Sequence, residues 1–233
     1  TFDDGYGCVL GHALPILEDR KMPWTLYLTT SLLTGEVLWR DKVRHLMSRG
    51  LVAPFLAFCR SRRAPVGALR QAHFYVDTKD PSRIASHVIS GWIDEFFRER
   101  SIDLSPEAGR LYCNAEQLSK LSSSLLMLGN HGRDHYILSS LPAEKQREQI
   151  KAPEDVLASI GLPVSRLFSL PNGSAKDYDQ ATVKILREGG YAGMLLSQGR
   201  SPIEAVSEPS QPSPGGGSFV ALRRFMPADR PWE

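Results

Sequence analysis

The chain has 233 residues, of which 28 are Lys or Arg and 26 are Asp or Glu, so its formal net charge is +2. Hydrophobic residues make up 42% and charged residues 23%, ordinary proportions for a globular protein that buries a core. No apolar run approaches the roughly 18 residues that a membrane-spanning helix needs, and the near-neutral charge argues against a dedicated nucleic-acid-binding protein.

The chain begins at Thr1 with two adjacent carboxylates, Asp3 and Asp4, at what we interpret as the end of a strand. It has neither an initial methionine nor a signal-peptide pattern, so we expect an N-terminally truncated piece of a longer protein. An amphipathic stretch over 10–17 follows, and then the aromatic and β-branched run 24–29, which predicts a buried strand. Strand, helix and strand in this order favour an α/β fold with a parallel sheet.

Residues 31–111, called here the 31–111 segment, have the pattern of packed helices. Apolar residues recur at helical spacing at Val43, Leu46 and Leu51, and again from Ile84 to Phe97. We therefore predict a helical insertion over 31–111 within one domain that covers residues 1–233.

Strands and helices alternate again after this segment. Strands are predicted at 125–128, 167–170, 191–196 and 219–222, and helices at 143–160 and 178–188. Pro153 should kink the first of these helices or divide it in two. Residues 201–218, rich in Pro and Gly, predict a mobile loop.

Three polar segments follow predicted strands, where parallel α/β folds place their active sites. They are the Asp3-Asp4 pair, the segment from His131 to His135, and the turn at 171–173. Two imidazoles and one carboxylate are a common ligand set for a catalytic divalent metal, and a second carboxylate can act as a base on water. Each piece alone is weak evidence, since paired Asp residues before Gly often form turns and His-x-x-x-His arises by chance. Their joint occurrence at strand ends favours a catalytic metal site.

The same segments resemble the first three motifs of the polysaccharide deacetylases, carbohydrate esterase family 4 with the NodB homology domain. The motifs read TFDDG over 1–5, HGRDH over 131–135 and FSLPNG over 168–173. The first matches the family residue for residue, and the resemblance covers residues 1–30 and about 112–200. It implies a distorted (β/α)7-type barrel, the NodB-like deacetylase fold, with a helical insertion. It also implies hydrolysis of N-acetyl groups, and in some members O-acetyl groups, on an amino-sugar polysaccharide or glycoconjugate.

By motif position, the resemblance makes Asp3 the general base and Asp4, His131 and His135 the ligands of a divalent metal. Zinc is the usual metal of the family, although other divalent ions occur. Such an ion polarises the acetyl carbonyl and lowers the pKa of the attacking water.

The third motif departs from the family pattern. The backbone N–H of Asn172, after Pro171, is expected to stabilise the oxyanion, a contact that needs no particular side chain. Ser169 stands where the family often has Arg, which brings the chain closer to the Phe-x-x-Pro-x-Gly branch typified by exopolysaccharide deacetylases. Near the C-terminus, Arg224 could line the site, with a structural salt bridge as the preferred interpretation.

The general acid is missing from the sequence pattern, because no Leu-x-His follows His135, the last histidine. Another group then donates the proton, or the acid lies beyond Glu233, or catalysis is weak. Two other functions stay open: a hydrolase of small linear or cyclic amides, and a non-catalytic glycan-binding homologue. The expected partner is an acetylated glycan, with no nucleic acid. Oligomeric state is left open, and so is the compartment, whether envelope, extracellular or cytoplasmic.

Overall fold

A computed structural model describes residues 1–121, 124–197, 205–206 and 219–224. Apart from Ala205–Val206, the loop predicted over 201–218 lies outside the described residues. The centre of the fold is a six-stranded sheet with the order β1-β2-β3-β4-β6-β5. The strands are β1 (Trp24–Leu28), β2 (Leu126–Asn130), β3 (Val164–Ser169), β4 (Gly193–Leu196), β5 (Ala205–Val206) and β6 (Val220–Arg223).

The predicted α/β architecture with a parallel sheet is confirmed. β1 to β4 pair in parallel with their sequence neighbours, and β6 pairs in parallel with β4. Leu26 and Leu28 in β1 and Leu128 in β2 are fully buried, as expected for strands covered on both faces. Parallel pairing brings the carboxyl ends of these strands to one edge of the sheet.

Within the described residues the sheet is open, so the predicted (β/α)7-type barrel is not what they form. At one edge, the N-terminal segment joins β1 through an isolated bridge between Phe2 and Leu26. At the other edge, β5 runs antiparallel to β6. Closure needs a continuous hydrogen-bonded ladder between the two edges, and neither a one-residue bridge nor a terminal antiparallel strand supplies it.

Helices surround the sheet and fill the 31–111 segment. A π-helical turn over Val9–Ala13 leads into α1, and together they cover the amphipathic stretch predicted over 10–17. The α-helices are α1 (Leu14–Asp19), α2 (Trp39–Ser48), α3 (Val52–Ser61), α4 (Phe74–Asp77), α5 (Ser86–Glu99), α6 (Ser105–Leu111), α7 (Ala115–Ser119), α8 (Ala143–Ser159) and α9 (Gln180–Glu188). Edge-to-face contacts of Phe55 with Phe74 and Phe96 join α3, α4 and α5. In the described part of the chain, none of these helices has the length and apolarity to cross a membrane.

Pro153 lies inside α8, and the helix runs through it as one element, so the predicted division does not occur. Proline lacks the N–H that would bond to the carbonyl four residues earlier, here that of Gln149. That carbonyl instead accepts a hydrogen bond from the backbone N–H of Arg133 at 3.0 Å. A contact from outside the helix therefore satisfies the group that Pro153 leaves free.

Candidate metal centre and catalytic site

Four segments meet at the carboxyl edge of the sheet. The N-terminal segment runs beside β1, with hydrogen bonds from Phe2 N–H to Thr25 O and from Thr29 N–H to Asp4 O. His131 directly follows β2, the 171–173 turn follows β3, and Arg224 directly follows β6. The parallel sheet thus gathers residues that lie up to 221 positions apart in sequence.

The three predicted metal ligands lie together. Asp4 Oδ1 is 3.5 Å from His131 Nε2 and 3.4 Å from His135 Nε2. The ligand atoms of the three residues all lie within 4.8 Å of one another, and the described residues contain no second such group of His, Cys, Asp or Glu. Asp4 has φ 73° and is followed by Gly5 at φ 106°, where a Cβ would come within 2.9 Å of Leu28. The tight turn that Gly5 permits is what aims Asp4 at the histidines.

A hydrogen bond holds the His131 ring in one orientation. Its Nδ1 lies 2.7 Å from the Ser169 carbonyl oxygen, and a carbonyl can only accept, so Nδ1 carries the hydrogen. Nε2 therefore faces Asp4. Metal-ligating histidines commonly donate their other ring N–H to a carbonyl or carboxylate in this way. Burial lowers the pKa of His131, but Asp3 and Asp4 outweigh it and raise the pKa above its ordinary value. The negative potential that favours a proton here equally attracts a divalent cation.

The donor set fits a divalent metal. Asp4 Oδ1 and His135 Nδ1 are buried and have no hydrogen-bond partner among the described residues, and a buried carboxylate oxygen without a partner is costly unless a cation is bound. Burial lowers the pKa of His135 to about 4, so its imidazole is neutral at pH 7 and its nitrogen lone pair is available. Burial alone would raise the pKa of Asp4, yet its interactions with His135 and His131 outweigh burial and hold the pKa of this carboxyl well below its ordinary value.

Asp3, the predicted base, is held by Arg224. The guanidinium donates to both carboxylate oxygens at 2.6 Å, and the Ser169 hydroxyl lies 3.2 Å from each. Burial would raise the pKa of Asp3, but the charges of His131 and Arg224 outweigh it and hold the pKa below its ordinary value. Asp3 is therefore a carboxylate at neutral pH, and its Oδ2 lies 3.7 Å from His131 Nε2.

The sequence favours a structural salt bridge for Arg224 over a place in the site, but the partner of its salt bridge is Asp3, so Arg224 lies in the site. The sequence held one indication of this contact. Ser169 stands where the family often has Arg, so position 169 supplies no cation for Asp3, the predicted base. The described residues at the end of the chain, 219–224, contain no His, Asp or Glu. Arg224 is thus the charged group that this part of the chain brings to Asp3.

The third predicted segment forms a tight turn beside the histidine segment. Asn172 has φ 61° and a buried Nδ2 without a hydrogen-bond partner among the described residues. Gly173 has φ 75°, and a Cβ there would come 2.5 Å from Ser197 N, so only glycine fits. Pro171 lies close to Gly132, because a Cβ placed on Gly132 would be 3.7 Å from the Pro171 Cγ. The turn therefore presents Asn172 next to the metal-ligand segment.

Comparison with known proteins connects the chain to a family. Residues 79–194, about half of the chain, match the sequence model described as polysaccharide deacetylase. The match contains His131, His135 and Asn172 and lies C-terminal to Asp3 and Asp4. No curated protein matches the chain in sequence.

Two solved structures resemble this chain, and the first of them has a similar fold. One is the Streptococcus pyogenes deacetylase PplD in complex with acetate, with a TM-score of 0.52 and 12% identity over 96% of this chain and 61% of that chain. The other is the BpsB deacetylase domain from Bordetella bronchiseptica, with a TM-score of 0.49 and 17% identity over 96% of this chain and 68% of that chain. The chain thus spans about three fifths of the PplD structure that it matches.

Proposed function

This chain belongs to the polysaccharide deacetylase family, and from that premise we propose that it is a metal-dependent hydrolase of N-acetyl groups on an amino-sugar polysaccharide or glycoconjugate. The observation that carries the proposal is the convergence of Asp4, His131 and His135 beside a second carboxylate, Asp3, that is not part of the ligand set. Two imidazoles and a carboxylate favour zinc and leave positions open for water and substrate.

Asp3 is proposed to accept the proton of the attacking water. Its two oxygens are bound by Arg224, yet a carboxylate has about four lone-pair sites, so it can still accept from water. The bidentate Arg224 contact and the Ser169 hydroxyl hold the carboxylate in one orientation. Positioning of this kind is what makes a base effective, since a misplacement of about 1 Å can cost a factor of about 100 in rate.

Asp4, His131 and His135 would hold the metal. A divalent ion bound there supplies Lewis-acid polarisation of the acetyl carbonyl and acidifies the attacking water. The backbone N–H of Asn172 is proposed to donate to the oxyanion that develops on the acetyl group, and no described residue accepts a hydrogen bond from it. The position of the turn supports this role, because Pro171, the preceding residue, lies beside Gly132 of the histidine segment.

The proposal is tested by measuring acetate release. We expect the zinc-loaded chain to release acetate from oligomers of N-acetylglucosamine, to lose this activity with a chelator and to regain it with zinc. Exclusive hydrolysis of small linear or cyclic amides would contradict the polysaccharide substrate. Oligomer binding without acetate release, with every divalent ion tested, would contradict the enzymatic role and favour a glycan-binding homologue.

Replacing Arg224 by Lys is expected to lower kcat roughly tenfold to a hundredfold while KM and zinc affinity stay unchanged. Lysine keeps the charge but cannot bind both oxygens of Asp3 in a fork, so the base loses its fixed orientation. The measurement is steady-state acetate release together with zinc titration. Arg223→Lys is the matched control, because Arg223 is the preceding residue, at the end of β6, and its side chain alternates to the other face. An unchanged kcat in Arg224→Lys would show that the pair is only structural.

A further inference from the structure

The two histidines of the candidate metal centre are held in different ways. The His131 ring is fixed by its own hydrogen bond from Nδ1 to Ser169 O. The His135 ring is buried, and its Nδ1 has no partner among the described residues. The direction of the His135 Nε2 toward Asp4 therefore depends on where the backbone places this residue. That backbone has φ 57°, a left-handed conformation that a histidine does not favour by itself.

A side chain of the 31–111 segment binds the His135 backbone. The indole Nε1–H of Trp39, at the start of α2, donates to the His135 carbonyl oxygen at 2.9 Å. Trp39 is 2% exposed, so water does not compete for this hydrogen bond. The contact spans 96 positions in sequence and ties the metal-ligand segment to α2.

Gln149, in α8, binds the same metal-ligand segment. Gln149 makes three hydrogen bonds to it: its carbonyl accepts from Arg133 N–H, its Oε1 accepts from Asp134 N–H, and its Nε2 donates to Asp134 Oδ2. The distances are 3.0, 2.9 and 2.7 Å. The first of these bonds exists because Pro153 leaves the Gln149 carbonyl without its helical partner. The proline in α8 thus serves the segment that carries His131 and His135.

We propose that Gln149 and Trp39 are positioning residues of the metal centre, which hold residues 133–135 so that His135 faces Asp4. Gln149 fixes the two residues before His135, and Trp39 fixes the carbonyl of His135 itself. The inference rests on the proposed function, since it concerns affinity for the metal of that site. It assigns to α8 and to the 31–111 segment a part in metal binding that no motif of the sequence indicates.

The test compares two glutamines of one helix. Gln149→Met is expected to lower zinc affinity about tenfold or more, the range seen when outer-shell partners of metal ligands are lost. Gln146→Met is the matched control: Gln146 is also buried and hydrogen-bonded, but to Leu141 O, Asp179 and Thr182. Both variants should lower the unfolding temperature, and only Gln149→Met should weaken zinc binding. Equal zinc affinities in the two variants would overturn the inference.

A second pair of variants tests the contact of Trp39 with His135. Its result does not depend on whether the two glutamine variants fold. Trp39→Phe keeps an aromatic ring in the core but removes the donor to His135, and about a tenfold loss of zinc affinity is expected. Trp92→Phe, on α5 in the same 31–111 segment, should leave zinc affinity unchanged. Native zinc affinity in a folded Trp39→Phe variant would overturn the role of Trp39. Absence of zinc binding in the unmodified chain would contradict the proposed function, and this inference with it.

Discussion

Replacing Asp3 by Asn is expected to lower the kcat for acetate release by about 10²- to 10⁴-fold, the usual contribution of a general base, while zinc stays bound. Asn has nearly the same shape as Asp, but its amide cannot take a proton from water. The three ligand side chains are unchanged in this variant, so zinc titration should still show binding, weakened only by the loss of one nearby negative charge. A kcat close to that of the unmodified chain would remove Asp3 as the base.

Loss of the Asp3 charge also leaves Arg224 without its anionic partner, although its hydrogen bond to Ser197 remains. This effect has to be separated from loss of the base. The Arg224 side chain is only 12% exposed, so the variant should be less stable. Asp3→Ala separates the two effects, because it opens space for a small carboxylate beside a guanidinium that binds carboxylates in bidentate fashion. We expect added formate to raise acetate release by Asp3→Ala and to leave the unmodified chain unaffected. No response to formate in a folded, zinc-loaded variant would contradict the assignment.

The parts of the site that the sequence predicts are those encoded within a few residues. Asp4 and Gly5 form their turn through local backbone geometry, and the spacing of His131 and His135 places both rings on one short segment. β2, the strand that precedes the histidine segment, is short, apolar and mostly buried, and the sequence pattern detects such a strand. The parallel sheet then brings the segments together, as the order of strands and helices indicates.

The parts that sequence reasoning missed depend on contacts between distant elements. Arg224 reaches Asp3 because β6 pairs with β4, a neighbour relation that no local pattern encodes. Pro153 predicts a kinked or a divided helix, and the division does not occur. The carbonyl that lacks its helical partner is tolerated because another donor, Arg133 N–H, reaches it. Closure of the sheet also depends on backbone hydrogen bonding between strands that are distant in sequence. In the described residues, the N-terminal segment contributes only the single bridge between Phe2 and Leu26.

Replacing Asp4 by Asn is expected to lower zinc affinity by more than about 100-fold, beyond the range of about 10- to 100-fold seen for loss of outer-shell partners, because the change removes the anionic ligand itself. Acetate release should fall to the level of the chelated protein. Asn is the informative replacement, since Asp4 has φ 73° and Asn tolerates the left-handed region better than most residues. The fold should therefore be retained, which circular dichroism can check.

The neighbouring variant Asp3→Asn is the matched comparison for Asp4→Asn. Both changes replace one carboxylate by an amide in the same turn, and both remove one negative charge near His131. If Asp4 is the ligand and Asp3 the base, zinc titration separates them, because only Asp4→Asn loses the metal, although both variants lose acetate release. Native zinc affinity in Asp4→Asn would contradict its place among the ligands. Equal loss of zinc in both variants would mean that the turn binds the metal through both carboxylates, which would leave the proposed mechanism without a free base.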